Sequence, residues 1–148
     1  MDALTIKCRD LMYGDWCCDK HGFQWQIIGV GDDYAYATFE GNEGDPWEFM
    51  DKDDPPQPIE ITTELLKANG WEVYTYELSY KKYTSLYYKE VNGNHLEWKR
   101  GTLAIWLEYE RCNNGMYSDI VIPVNYVHQL QQVLRLAGMT DMANNFKV

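Results

Sequence analysis

The chain has 148 residues, 45% hydrophobic and 15% aromatic, which suffices for one domain, or two small ones sharing a core, without a metal or disulfide. That aromatic load excludes intrinsic disorder and favours sheet, where large flat side chains pack across strands. A net charge of −10 argues against general nucleic-acid binding, which needs Lys and Arg to displace counterions from phosphates, and no apolar run approaches the ~20 residues of a membrane helix.

The N-terminal stretch Met1 to Lys7 lacks the basic start and apolar run of a signal peptide, so a cytoplasmic location is expected. There Cys8, Cys17, Cys18 and Cys112 would be reduced thiols. Short strands divided by turns come first. Leu11 to Tyr13 leads through Gly14-Asp15 into Trp16-Cys17-Cys18, and Asp19-Lys20-His21-Gly22 turns the chain again. Adjacent strand residues face opposite ways, so only one of Cys17 and Cys18 can join a given core face. Phe23 to Ile28 starts with strand alternation, and Tyr34 to Phe39 follows with Ala35, Ala37 and Phe39 on one face. This rhythm predicts a small curled sheet or barrel.

From Gly41 to Pro58 the rhythm breaks. Pro46, Pro55, Pro56 and Pro58 lie among acids, with Trp47, Phe49 and Met50 as isolated anchors, which predicts a long surface connection. Charge is concentrated here. Between Gly31 and Glu64 eleven acids face one base, Lys52, while the other twelve acids and twelve bases cancel. A single negative region of this kind has the character of a surface presented to a partner.

A short helix is predicted after Thr62, its N-cap, with Leu65, Leu66 and Ala68 as contacts and Gly70 as the stop. Tyr74, Tyr76, Leu78 and Tyr80 share a face of a strand starting near Trp71. Tyr83 to Val91 and His95 to Lys99 form a hairpin around Asn92-Gly93-Asn94. Thr102 to Glu110 alternates, with Leu103, Ile105, Leu107 and Tyr109 inward and Trp106 outward. Asn113-Asn114-Gly115 turns into Ile120 to Ile122. A last helix runs from Tyr126 to about Ala137, capped by Asn125. Val127, Leu130, Val133, Leu134 and Ala137 form its apolar stripe, and Gln129, Gln132 and Arg135 its outer face.

Three stretches carry a resemblance: Asp10 to Trp16, Pro58 to Trp71, and Tyr126-Val127-His128-Gln129-Leu130-Gln131 onward to Gly138. Together they resemble a family of small uncharacterised proteins of gut Bacteroidetes and their phages and mobile elements. The resemblance implies an N-terminal SH3-like barrel and a cytoplasmic protein. It implies no reaction and no catalytic residue. The Glu43 to Asp54 stretch and the Cys17-Cys18 pair lie outside the shared pattern.

Several motifs invite chemistry. Asp51-Lys52-Asp53-Asp54 has the acids of a calcium loop, but Pro55 and Pro56 fall where ligand and turn should be. Cys17, Cys18 and His21, with Cys8, lack the second ligand pair of a zinc site. His128 has no nucleophile motif beside it, and Gly29-Val30-Gly31 is too short for a dinucleotide loop. The tyrosine stripe lacks the basic groove of a base-stacking platform.

The fold expected is therefore α+β and mostly antiparallel, with residues 1–58 as a small barrel plus acidic connection. Residues 59–148 would form a β-meander with two packed helices. The function expected is a non-enzymatic interaction or accessory protein of a bacterial host or mobile element, without cofactor, metal or catalytic residues. Its partner would be another protein rather than nucleic acid or membrane, with self-association open. Trp47, Trp106, His128, Asp51, Asp53 and Asp54 are the candidate interaction residues. The alternative is an acidic DNA mimic that occupies a DNA-binding host protein.

Overall fold

The computed structural model describes residues 4–39, 44–78, 81–91, 94–99, 101–107 and 120–148; of these, the side chains of 74–91, 94–95, 106–107 and 120 are not described. The fold is α+β and dominated by antiparallel sheet, in two compact units. The first comprises residues 1–60 and 126–146, the second residues 61–125.

In the first unit, β1 (Trp16–Cys18), β2 (Gln24–Val30), β3 (Tyr34–Thr38) and β4 (Trp47–Met50) form a meander curled into a half-barrel, with β1 and β4 at its edges. The inner face follows from alternation. Cys17, Trp25, Ile27, Ala35, Ala37 and Phe49 are buried, joined by Ile6, Cys8 and Leu11 from the segment before β1. Cys17 is buried and Cys18 half-buried, the opposed facing that adjacent strand residues require.

β4 corrects one expectation. The stretch from Gly41 to Pro58 is no structureless connection, because Trp47–Met50 pairs with Tyr34–Ala37 and buries Phe49 completely. Four residues with two inward side chains, Trp47 and Phe49, are too short for a periodic signal, and the surrounding prolines hid it. Those prolines sit outside the ladder. A turn closed by Met50 and Asp54 backbone bonds (3.0 and 2.9 Å) follows β4, and Gln57 then pairs with Cys18 along the β1 edge.

α2 (Val127–Leu136) and the short α3 (Thr140–Asn144), unanticipated from sequence, also belong to this unit. A sequence boundary at residue 58 would group α2 with the later strands. The apolar stripe holds: Val127, Leu130 and Leu134 are fully buried. Two other expectations for α2 fail. Its N-cap is Tyr126, not Asn125, and Gln129 Oε1 accepts from the Tyr126 N–H (3.2 Å). Its supposed outer face is also largely covered. Gln132 Nε2 donates to Asp15 (2.7 Å), Arg135 pairs with the same carboxylate, and only Leu136 stands out at 87% exposure.

In the second unit, α1 (Thr63–Ala68) starts at Thr62, whose Oγ1 accepts from the Leu65 N–H (3.1 Å). It ends before Gly70, which adopts φ +89°. β5 (Glu72–Leu78), β6 (Lys81–Val91), β7 (Asn94–Lys99), β8 (Thr102–Leu107) and β9 (Ile120–Pro123) form a sheet in sequence order. Val91 pairs with Asn94, as an Asn-Gly hairpin requires. Leu103 and Ile105 are buried as the alternation predicted. Tyr80, Tyr109 and the turn at 113–115 lie outside the described residues, as do the side chains of Tyr74, Tyr76 and Leu107.

Candidate functional site

The inner face of the half-barrel ends in an aromatic cleft of about 810 Å³, lined by Trp25, Phe39 and Trp47 with Asp19, Phe23 and Asp45 around them. Its position follows from register. Ala37 pairs with Ile27 on one side and Trp47 on the other, and all three belong to or pack on the buried cluster. Two residues along each strand, Trp25 and Phe39 continue the same face. Trp25 meets Phe39 edge-to-face at 5.0 Å and stacks on Trp47 at 5.4 Å. Trp25 is buried, whereas Phe39 is 41% and Phe23 66% exposed, so the cleft opens to solvent through its phenylalanines.

Both indole N–H groups are bound by carboxylates, Trp25 Nε1 to Asp19 Oδ2 (2.9 Å) and Trp47 Nε1 to Asp54 Oδ2 (3.1 Å). Asp19 is 2% exposed and also organises the preceding turn. Its Oδ1 accepts from the N–H groups of His21 (2.8 Å) and Phe23 (3.0 Å), and Gly22 takes φ +85°. Burial alone would raise the Asp19 pKa. The bonds from Trp25, Phe23 and His21 outweigh it and hold the carboxyl below its usual range.

The sequence-predicted residues divide. Trp47 and Asp54 come together at the cleft. Asp51 accepts from the Cys8 N–H (2.8 Å); burial opposes its ionisation, but that bond and neighbouring Lys7 and Arg9 lower its pKa. Asp53 is exposed in the turn after β4. Trp106 lies in β8 opposite His95, its side chain outside the described residues.

His128 is away from the cleft, in a depression of about 410 Å³ shared with Ile6, Asp10, Pro58 and Tyr126. It is 8% exposed, stacks on Tyr126 at 6.1 Å, and its Nδ1 has no hydrogen-bond partner. Burial lowers its pKa against the pull of Asp15 and Asp10. Asp15 could orient a catalytic histidine, but its oxygens are taken by Arg135, Gln132 and the Met12 N–H.

Sequence reasoning missed Trp25, Phe39, Phe23, Asp19 and Asp45 as site residues. The available signal was aromatic: Phe23 and Trp25, Phe39, and Trp47 sit at successive strand ends, which a meander brings to one edge. Among the described residues no three His, Cys, Asp or Glu converge as metal ligands, and no helix is long and apolar enough to cross a membrane. In comparisons with protein-family models, curated proteins and solved structures, nothing matches this chain.

Proposed function

We propose that this chain is a non-enzymatic protein-interaction or accessory protein of a bacterial host or mobile element, and that a partner protein docks on the aromatic cleft. One observation carries the reading: two tryptophans locked by carboxylates back a pair of exposed phenylalanines in one concavity. Rigid aromatics in a preformed pocket lose little entropy on binding, and such residues dominate measured binding energy at interfaces.

The DNA-mimic alternative has weaker support. Of the acids at 45, 48, 51, 53 and 54, Asp51 holds the Cys8 N–H and Asp54 the Trp47 indole, so the five do not act together as one surface row of charge. Affinity capture from bacterial lysate at low and high salt tests both readings, using the natural chain, a Phe23→Ser/Phe39→Ser variant and a variant with those five acids amidated. A partner kept at high salt and lost only with the phenylalanines is the expected result. Equal capture by the phenylalanine variant and the natural chain overturns cleft docking. Loss with salt and with amidation alone favours the mimic.

A further inference from the structure

The cleft is apolar in its walls but anionic in its setting, and that combination specifies an occupant. Asp19 is a buried carboxylate whose three donors, two backbone N–H groups and an indole N–H, are all neutral. These dipoles stabilise its charge, and His21 is the basic group beside it. Asp45 adds an exposed carboxylate at the rim, and among the described lining residues the one basic side chain is His21, with no Lys or Arg. Phe39, Asp45, Pro46 and Trp47 of its lining also belong to the stretch between Gly31 and Glu64 where the net charge is concentrated.

The tryptophans respond to the same charges. An indole that donates its N–H to a carboxylate is polarised toward its ring, making the π face more negative. Trp25 and Trp47 are both polarised in this way, by Asp19 and Asp54. A ring with a negative face attracts a cation placed over it and gives a neutral aliphatic group no such gain. Phe39 and Phe23 supply further aromatic surface at the opening.

We propose that the cleft receives an arginine or lysine side chain from a basic segment of the partner protein. The methylene stem lies on Phe39, and the charged head reaches the half-exposed Trp47 ring and the Asp45 carboxylate, since Trp25 is buried behind Trp47. This rests on the proposed docking function and names the chemistry it recognises. Long basic side chains suit such a site because they cover apolar surface while keeping the charge at a polar rim. The surrounding negative field would also speed encounter with a basic segment at low ionic strength.

The test is NMR of the ¹⁵N-labelled full chain, following the indole N–H signals of Trp25 and Trp47. Three short capped peptides are titrated, identical except that several positions hold Arg, Lys or uncharged norleucine. Saturable shifts of both indole signals are expected with the Arg and Lys peptides. Binding should weaken about fivefold in Asp45→Asn and in Phe39→Leu, which keeps apolar bulk but removes the ring. The norleucine peptide should bind more weakly than either basic one. The order of Arg and Lys then tells guanidinium from ammonium. Equal binding of the norleucine peptide overturns the cation inference and leaves cleft docking standing. Absence of saturable indole shifts with either basic peptide, or full binding by both variants, overturns the inference too. If lysate capture is also unaffected by the phenylalanine substitutions, cleft docking fails with it. The folded state of each variant is read from the dispersion of the same spectra.

Discussion

Asp19 joins a turn, a strand and the cleft with a single carboxylate. The turn was legible because Asp and Gly22 mark it chemically, but the bond to Trp25 was not, since it depends on how β2 leaves the turn. Asp19→Ala strands the indole N–H and two backbone N–H groups and should cost roughly 1–3 kcal/mol in urea unfolding. A Trp25→Phe background should recover part of that loss, because one stranded donor is then gone. The cysteines make a different residue-scale point. Burial, followed by the adjacent Asp51 carboxylate, pushes the Cys8 thiol up to about 12, and burial raises Cys17 well above its ordinary value. Both therefore lack the thiolate that reacts. Iodoacetamide near pH 8 should leave Cys8 and Cys17 unmodified in the folded chain and label them after denaturation, as read by peptide mass spectrometry. Labelling of Cys17 in the folded protein would contradict its burial.

Among the elements, α2 shows where pattern reading stops. Its apolar stripe was legible from heptad-like spacing, and Val127, Leu130 and Leu134 are buried accordingly. Spacing places Gln129, Gln132 and Arg135 on its outer face and leaves Gln131 unassigned. Gln131 is completely buried: its Oε1 accepts from the Trp16 N–H (2.9 Å) and its Nε2 donates to Gly14 O (2.8 Å) and Ala143 O (3.0 Å). Arg135, nearly as enclosed, meets Asp15, which is 0% exposed. A sequence cannot reveal that Gln131 is buried when two of its three partners, Trp16 and Gly14, lie more than 100 residues away. The ion pair has an asymmetric consequence. Arg135→Ala leaves the Asp15 charge buried without its cation and should destabilise the chain by about 3–5 kcal/mol. Leu136→Ala, one position on but exposed, should stay within about 0.5 kcal/mol. Urea unfolding followed by tryptophan fluorescence checks both, and a small Arg135 effect would mean that solvent reaches Asp15.

Across the chain, the meander of the later strands was legible, because hairpins between sequence neighbours need only local turns and alternation, whereas β4 was not. The division into units was not, because the first unit closes through residues 66 positions apart. Below neutral pH, stability should also have one direction. His128 has a lowered pKa, so the unfolded chain takes up the proton first and stability falls as pH drops below about 6.5. Asp19 and Asp51 have lowered pKa values, so their contribution is present above about 4 and is lost as pH falls through the folded values. Urea midpoints should therefore drop from about pH 7.5 to about pH 5.5, and His128→Gln should flatten that drop. The unit division allows a sharper test. Glu60 and Tyr126 form an antiparallel bridge, and the Val127 N–H donates to Ile59 O at 2.9 Å. The first unit therefore leaves and re-enters at one paired point, as inserted units do. Replacing residues 61–125 by an Asn-Gly turn would connect that pair with a two-residue hairpin. The shortened chain should unfold cooperatively in urea and retain the dispersed Trp25 and Trp47 indole signals. It contains the buried cluster around Ile27 and Phe49 together with the Asp15–Arg135 pair. Collapse of those signals into the unfolded range would show that the half-barrel and α2 depend on the inserted strands for their fold.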